Sequence, residues 1–568
     1  MFDLVSLWDI AVIIAIVLAI SPTFGDYMGR VYLNRPAFGD RILTPIESFF
    51  YRILGTSPRH SMTALEYGIA VALVNGITFG WIYLWLTYQG SLPYNPGHLA
   101  GFDWSLGFHT SSSFVTNTDF QYYTPESQLG LGGAVLALQL AMFISPATGL
   151  AVVAAFIRGF VRRDGTIGNF YVDLIRSMTR ILLPLSILGA VIFVLLGVPQ
   201  TFQTSVQAHT LLGGTQTIPL GPVASWQSID LLGSNGGGFY SANAGSTLAN
   251  PSAVSNLFEI GLMMIIPMSF PFAFAQIVRK PGEGLPYLGT VLAVLFVALA
   301  LFLYAQSAGN PALVGVTHLS GAVNNGYPVG QETRFSPAEA GLFQVYSVYG
   351  NVGAANMQLG SLTPLAQLSL MFGMFTQSTP GGVGTGFGVL LVFALVAVFV
   401  GGLMVGRTPE YLGKKIEKKH MQWSAAILLS HPALVLVPVA IAVFFGYTSI
   451  GGSTTQVTAH NLTILLYAYT SQAANNGSAM APITGDYVFL NVSGAIVMLL
   501  GRYFPIAGML ILGGLFARQN VLPPGPGTLR TRSATFTIYL TLLLIIITGL
   551  LFLPVMALGP LSQIGGGP

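Results

Sequence analysis

The sequence contains very few charged residues for its length. Asp, Glu, Lys and Arg make up only 7% of its 568 residues, whereas 53% of the residues are hydrophobic. Because a soluble globular protein carries about a quarter charged residues, this composition excludes a chain whose surface lies mostly in water. The apolar residues form long blocks and the mean hydropathy is +0.69, which indicates a polytopic membrane protein.

Several kinds of chemistry are also missing. Cysteine is absent, which excludes disulfides, thiolate metal sites and a cysteine nucleophile. The eight His residues form no HExxH pattern, and Gly413-Lys-Lys is not a Walker A element. No Asp-Lys-Thr-Gly phosphorylation motif occurs, so the chain has no visible ATP chemistry or catalytic site of its own. The formal net charge of +3 gives no indication of a nucleic-acid partner.

Hydrophobic runs predict the topology. A spanning helix needs roughly 20 apolar residues, and we predict an all-α polytopic fold with about ten spans, at 4–21, 64–88, 130–157, 178–198, 256–277, 285–305, 364–406, 423–446, 487–517 and 536–557. All of the 22 Lys and Arg residues except Arg334 and Arg502 fall on alternate connections. The side that carries them is therefore predicted to be cytoplasmic, with both termini outside.

The run 364–406 is about twice as long as one span requires. Its middle, 379–388, contains five glycines and a proline, which do not hold a regular helix. We therefore predict a helix broken inside the membrane. Such backbone is tolerated at that depth only against protein or a water-filled cavity. The candidate gating glycines of this loop are Gly381, Gly382, Gly384 and Gly386.

Four outside segments share one pattern. Each has an apolar or hydroxyl-rich run followed by a Gly/Asn/Ser/Thr cluster, and they cover 108–119, 224–243, 341–356 and 462–480. With Asn117, Gly236, Gly353 and Gly477 as markers, they recur about every 120 residues, and each lies between helices of the same two directions. Any one cluster alone would be read as an ordinary turn. Four of them at near-equal spacing predict four pseudo-symmetric repeats of helix, pore loop and helix.

This unit suits a cation. A short helix that enters from outside directs the partial negative charge of its C-terminal end at the centre. Carbonyl oxygens of the extended segment that follows can replace the hydration shell of K⁺. The predicted division of the chain is an N-terminal helix and cytoplasmic loop (1–60), four pore repeats (61–163, 164–280, 281–421 and 422–520) and a C-terminal helix (521–568).

At these segments the chain resembles the potassium-binding A subunit of the Kdp potassium-transporting ATPase. The resemblance covers nearly the whole chain and is carried by 114–118 (FVTNT), 221–225 (GPVAS), 235–239 (NGGGF), 381–384 (GGVG), 406–416 (GRTPEYLGKKI) and 475–479 (NNGSA). It implies a subunit of a prokaryotic inner-membrane complex that selects K⁺ as substrate, without a covalent cofactor. ATP would be used by a P-type ATPase partner, the B component of the complex, which receives K⁺ through a tunnel. A C subunit and often a small F peptide complete the complex.

The resemblance also implies site residues. The filter positions are Val115, Thr116, Asn117, Thr118, Asn235, Gly236, Gly237, Asn351, Val352, Gly353, Asn475, Asn476 and Gly477. Asn243, Asp119 and Gln121 are assigned to the vestibule or the region beside the filter. Three positions depart from the family pattern as we know it: Asp119 replaces Asn, Gln377 replaces Glu before the glycine loop, and 350–354 reads Gly-Asn-Val-Gly-Ala.

Two arginines stand apart from the loops. Arg502 lies midway along the ninth span, where an Arg costs about 2.5–3.5 kcal/mol on insertion scales. Two interpretations are open: its side chain snorkels toward the membrane surface, or it serves as a cation gate or a contact with another subunit. Arg407 is predicted to be a positive-inside anchor or a plug below the pore. The basic run from Lys414 to Lys419 is expected to face the cytoplasm, where it can also contact anionic membrane lipids.

Two alternatives remain open at this stage. One is a stand-alone K⁺ or Na⁺ transporter of the related four-repeat type, which would pass ions down a gradient without partners. The other is a membrane enzyme or energy-coupling subunit. It would need paired buried carboxylates, lysine chains or metal-ligating histidines, which the predicted spans lack.

Replacement of Gly236 by Asp tests the second segment. The variant would place a carboxylate among carbonyl oxygens and remove the conformational freedom of glycine. We expect weaker K⁺ affinity or relaxed discrimination against Rb⁺ and Na⁺, measured by ion competition. Unchanged competition would count against the assignment of this segment.

Overall fold

The computed structural model describes residues 4–307, 329–404, 406, 408–446, 458–480, 488–521 and 529–564. The long helices are α1 (Leu4–Tyr32), α3 (Ala64–Thr87), α6 (Leu140–Gly159), α8 (Leu183–Leu195), α10 (Ala253–Ile277), α11 (Leu285–Ser307), α14 (Thr385–Met404), α15 (Lys418–Phe444), α17 (Val488–Ala517) and α18 (Ala534–Leu558). The shorter helices are α2 (Asp40–Ile53), α4 (Trp104–Val115), α5 (Pro125–Gln128), α7 (Phe170–Arg176), α9 (Val223–Leu232), α12 (Pro337–Tyr349), α13 (Pro364–Thr376), α16 (Ala459–Ala474) and α19 (Pro560–Ile564). Two hairpins pair β1 (Ser205–His209) with β2 (Thr215–Pro219) and β3 (Glu410–Tyr411) with β4 (Lys414–Lys415).

Ten helical stretches of the described chain are long and apolar enough to cross a membrane. They confirm the predicted polytopic helical fold and coincide with the predicted runs. Two of the ten helical stretches have bounds that differ from those of the predicted runs. The first continues to Tyr32, and the fourth begins at Phe170, because α7 joins α8 through a π-helical turn at Ser177–Leu182.

The seventh span is broken, as predicted. Helix α13 ends at Thr376 and α14 begins at Thr385. Between them Gln377, Gly381 and Gly384 have φ values of +52°, +69° and +82°. This left-handed backbone cannot continue a helix, and it favours glycine because glycine carries no Cβ.

Four short helices, α4, α9, α12 and α16, precede the predicted loops. Three of them begin at a polar cap: the side chains of Asp103, Ser336 and Thr458 accept hydrogen bonds from backbone amides of the first turn. Helix α9 instead follows Pro222. Most residues of the four helices are buried, including hydroxyl and amide side chains. Polar helices therefore lie inside the apolar bundle.

Small residues bring the long helices close together. A Cβ on Gly25 of α1 would lie 2.5 Å from the Cβ of Phe272 in α10, and a Cβ on Gly159 of α6 would lie 2.6 Å from the Cα of Gly513 in α17. Such contacts allow close backbone packing, which is a main source of association between helices in lipid.

The basic ends of several helices gather at one place. A cavity of about 490 Å³ is lined by Arg158, Arg162, Arg163, Arg279 and Lys280, among others. These residues come from separate connections that the sequence assigned to one side of the membrane. Their proximity agrees with that assignment.

Lys414 of β4 connects α6, the residues after it and α17 at this basic end of the protein. Its side chain is fully buried, and Nζ donates hydrogen bonds to the carbonyl oxygens of Gly159 (2.9 Å), Arg162 (2.5 Å) and Phe516 (2.6 Å). These oxygens lie at the C-terminal ends of α6 and α17, where carbonyls lack helical partners. Burial, reinforced by the charge of Arg163, lowers the pKa of Lys414 to about 8.

We expect Lys414→Met to destabilise the chain by about 1–3 kcal/mol, because it leaves buried carbonyl oxygens unsatisfied. Thermal unfolding in detergent measures the effect. The exposed neighbour Lys415 provides the control, and Lys415→Met should unfold like the parent chain. Equal destabilisation by the two variants would contradict the role assigned to the buried amine.

Candidate ion-binding site

The ends of the four short helices meet at Gly236. A Cβ at this glycine would lie 2.6 Å from the carbonyl oxygen of Asn476, 2.7 Å from that of Thr118 and 2.9 Å from that of Val352. These oxygens belong to the fourth, first and third segments. One residue of the second segment is thus surrounded by backbone oxygens from each of the others.

The four segments follow the same backbone path. Each short helix is followed by a left-handed residue, and a second positive-φ residue comes two positions later. The first set is Asn117, Ser234, Asn351 and Asn475, with φ between +48° and +61°. The second set is Asp119, Gly236, Gly353 and Gly477, with φ of +50°, +109°, +78° and +100°.

This path corrects one sequence marker. Asn117 is structurally equivalent to Ser234, Asn351 and Asn475, whereas the position equivalent to the three glycines is Asp119. The sequence concealed this register because the first segment has no glycine at that point. The side chain of Asp119 is buried beside Gly237.

Asparagine side chains connect neighbouring segments. Nδ2 of Asn117 donates to the carbonyl oxygens of Gly233 (3.1 Å) and Ser234 (2.5 Å) in the second segment. Nδ2 of Asn351 donates to the Ala474 oxygen (3.0 Å). Nδ2 of Asn475 donates to Oγ1 of Thr118 (2.9 Å).

Asn476 adds a bond to the third segment, where its Nδ2 donates to the Val348 oxygen at 3.0 Å. Asn235 instead anchors to α6 through the Met142 oxygen at 3.3 Å. Asparagine side chains therefore link the first segment to the second, the fourth to the first, and the third and fourth to each other, and most of these bonds satisfy buried carbonyls that would otherwise be costly.

The remaining first-segment residues have distinct places. Oγ1 of Thr116 forms a 2.8 Å hydrogen bond with Oγ1 of Thr118. Val115 ends α4, and its carbonyl oxygen accepts a 3.3 Å hydrogen bond from the hydroxyl of Tyr503. Val115 also lines an apolar cavity between α3 and α17, away from the oxygens around Gly236.

A polar cavity of about 650 Å³ adjoins the meeting point and includes Gly236, Gly353 and Gly477 in its lining. Gln121 and Asn243 also line it. Nε2 of Gln121 donates to the Gly238 oxygen at 3.2 Å, and Nδ2 of Asn243 donates to the Gly236 oxygen at 3.2 Å.

The glycine loop packs against the third and fourth segments. The amide of Gly381 donates to the Tyr349 oxygen at 2.9 Å, and a Cβ on Gly382 would lie 3.7 Å from that of Asn351. Gln377, at the start of the loop, donates through Nε2 to the Ala473 oxygen at 3.1 Å. Gly386 is buried against Pro380 and Gly381.

Arg502 is buried within α17, with 4% of its surface exposed. Its guanidinium donates to Oγ1 of Thr385 (2.9 Å) and to the Ser145 carbonyl oxygen (3.1 Å). Ser145 in turn donates to Oδ1 of Asn117 at 2.9 Å. The guanidinium of Arg502 is therefore linked to the first segment through one residue, Ser145, and is surrounded by protein. Arg407 lies outside the described residues.

Sequence reasoning overlooked Ser145 and the residues six positions before the second left-handed set, which are Ser113, Asp230, Ser347 and Ser471. A hydroxyl or carboxyl within a short buried helix has no distinctive local pattern. If the repeats are aligned with Asp119 opposite the three glycines, the residues six positions earlier fall at equivalent positions in all four segments.

These features define a polytopic α-helical membrane protein with a centre lined by backbone oxygens. Residues 11–564 match the family described as the potassium-transporting ATPase A subunit, and the chain belongs to that family. This confirms the resemblance seen in the sequence motifs.

Similar proteins with the name potassium-transporting ATPase potassium-binding subunit occur in several organisms. The protein from Nostoc sp. is 39% identical, with 98% of each chain covered. That of Gloeobacter violaceus is 40% identical, covering 98% of this chain and 97% of its own. That of Geobacillus kaustophilus is 38% identical, with 99% of each chain covered.

We expect Asn475→Ala to weaken the junction between the fourth and first segments. The variant loses the bonds to Thr118 and to the Met498 oxygen, and at a φ of +54° alanine lacks the short polar side chain that helps asparagine adopt left-handed backbone. The melting temperature should fall and discrimination against Rb⁺ should relax in ion competition. Asn461→Ala, at the other end of α16, is the control, since no side-chain hydrogen bond is described for Asn461. Unchanged competition at Asn475 would refute the bracing role.

Proposed function

We propose that the chain is the potassium-selecting subunit of an ATP-driven uptake complex. It strips water from K⁺ at the four segments and passes the ion to a P-type ATPase partner, which hydrolyses ATP. The observation that carries this proposal is the convergence of the Thr118, Val352 and Asn476 carbonyl oxygens around Gly236. The names of the relatives and the family of the chain support the same substrate.

Backbone oxygens suit K⁺ because they can replace its hydration shell without a full negative charge. Four short helices whose C-terminal ends approach the centre add partial negative charge there. We assign the filter to Thr116, Asn117, Thr118, Asn235, Gly236, Gly237, Asn351, Val352, Gly353, Asn475, Asn476 and Gly477. Val115, which the sequence predicts as a filter position, is the last residue of α4, and we assign it to the junction between that helix and the filter.

The glycine loop and Arg502 form the proposed barrier next to the filter. The loop contacts the third and fourth segments, and Arg502 bonds Thr385 at the start of α14 and Ser145 of α6. A fixed positive charge near the ion path disfavours free passage of K⁺. Transport would then require movement of this barrier or a lateral exit into the partner.

The proposed complex contains the P-type ATPase as its catalytic component, a C subunit and possibly a small F peptide, in a prokaryotic inner membrane. The clustered basic residues at the ends of α6 and α10 lie on the cytoplasmic side, where the exposed lysines of the run from Lys414 to Lys419 contact anionic lipids. This orientation places both termini outside. The division into four pore repeats at 61–163, 164–280, 281–421 and 422–520 belongs to the same proposal.

Affinity purification of the tagged chain from native membranes tests the assembly. We expect a P-type ATPase chain to copurify and its ATPase activity to rise with K⁺. The isolated chain, reconstituted in vesicles with a K⁺ gradient, should carry little flux. Rapid K⁺ flux through the isolated chain, with no ATPase bound in the membrane sample, would favour a stand-alone transporter.

A further inference from the structure

The amide of the second left-handed residue is held in every segment by the residue six positions earlier. The amide of Asp119 donates to the Ser113 carbonyl oxygen (3.2 Å), and that of Gly353 donates to the Ser347 carbonyl oxygen (3.3 Å). In the fourth segment the acceptor is a side chain, Oγ of Ser471, at 3.1 Å from the Gly477 nitrogen.

The second segment uses a carboxyl group for the same purpose. The amide of Gly236 donates to Oδ1 of Asp230 at 2.9 Å. Asp230 is fully buried in α9. It stands where the other three segments have serine, which makes it the exception in an otherwise regular pattern.

These bonds determine where carbonyl oxygens point. A trans peptide unit is planar, and its N–H and C=O point in opposite directions. An amide held away from the centre therefore turns the carbonyl of the preceding residue toward it. In three segments those preceding carbonyls belong to Thr118, Val352 and Asn476, the same oxygens that surround Gly236. By the same geometry, the bond to Asp230 directs the carbonyl of Asn235 to the centre.

Serine and aspartate differ in what else they can do. Oγ of Ser113 donates to the Phe120 oxygen at 3.0 Å, and Oγ of Ser347 donates to the Ala354 oxygen at 2.6 Å. Among the described residues, the carboxyl of Asp230 donates no such hydrogen bond. In the second segment the equivalent carbonyl, that of Gly237, accepts instead from Nε1 of Trp226 at 2.7 Å. In the first and third segments one serine takes part in both bonds, whereas in the second segment Asp230 and Trp226 each supply one of them.

Asp230 has two other buried carboxyl groups in its surroundings, Asp119 and Glu259, which are close enough to interact with it electrostatically. Neither bonds the Gly236 amide. Oδ2 of Asp230 has no hydrogen-bond partner among the described residues. The carboxyl group therefore accepts the Gly236 amide through Oδ1 and also interacts with the backbone amide of Gly237.

We propose that Asp230 is a positioning residue that orients the Asn235 carbonyl and thereby completes a ring of four oxygens for K⁺. This inference rests on the proposed function and adds the residue that sets the geometry of one quarter of the site. Asp230 acts through the peptide unit and does not itself contact the ion.

The test uses the assembled complex with its ATPase partner. Asp230→Ala removes the acceptor, and the K⁺ concentration for half-maximal ATPase stimulation should rise about tenfold, as expected for the loss of one buried hydrogen bond. The preference for K⁺ over Rb⁺ should fall, while the maximal ATPase rate stays close to that of the parent. Asp230→Asn keeps a carbonyl oxygen at the Oδ1 position and should restore both the K⁺ requirement and the ion preference.

Ser228→Ala is the matched control on α9. Ser228 is fully buried, but its hydroxyl donates to the Ser186 oxygen at 2.8 Å, away from the filter. This variant should keep the parental ion preference. An equal change in Ser228→Ala and Asp230→Ala would overturn the proposal, because general loosening of α9 would then explain both.

A second variant keeps the proposal falsifiable if Asp230→Ala does not assemble. Ser471→Ala removes the equivalent acceptor in the fourth segment and should shift the K⁺ requirement and the ion preference in the same direction. Parental values in Ser471→Ala or in an assembled Asp230→Ala complex would overturn the positioning role. A parent complex without K⁺ stimulation would instead refute the proposed function itself.

Discussion

The orientation of a few buried peptide units is the constraint on which the rest of the structure depends. Carbonyl oxygens of Thr118, Val352 and Asn476 can approach one another only if something holds each peptide plane against their mutual repulsion. Hydrogen bonds from the following amides supply that restraint. The short helices that carry the acceptors for these bonds are buried inside the apolar bundle.

The surrounding bundle explains how polar backbone survives at membrane depth. Irregular backbone is tolerated there only when protein or water satisfies its polar groups, and Asn117, Asn351 and Asn476 satisfy carbonyls of neighbouring segments. Arg502 follows the same rule. Its cost in an apolar medium is offset by two protein oxygen acceptors, which hold α14 and α6 near the first segment.

The four segments share a backbone path, but they differ in the side chains at equivalent positions. Glycine occupies the second left-handed position in three of them, and Asp119 occupies it in the first. Serine precedes that position by six residues in three segments, and Asp230 does so in the second. In the first segment Asp119 is buried beside Gly237. In the second, Trp226 bonds the carbonyl whose equivalents in the first and third segments are bonded by a serine. Pseudo-symmetry of the backbone therefore permits asymmetry in the side chains.

The sequence by itself determined the membrane class, the ten spans and the interruption between α13 and α14. Hydrophobic length and glycine content are local properties of the sequence, and they decide directly whether a segment can cross the bilayer as one regular helix. The family motifs also identified most residues of the segments. Only the tertiary structure decided which positions are equivalent and which atoms meet. Asn475 and Thr118, for example, are 357 residues apart in the chain, and no local pattern records a hydrogen bond between them. The role of Asp230 was hidden for the same reason, because the direction of a peptide plane depends on packing around it.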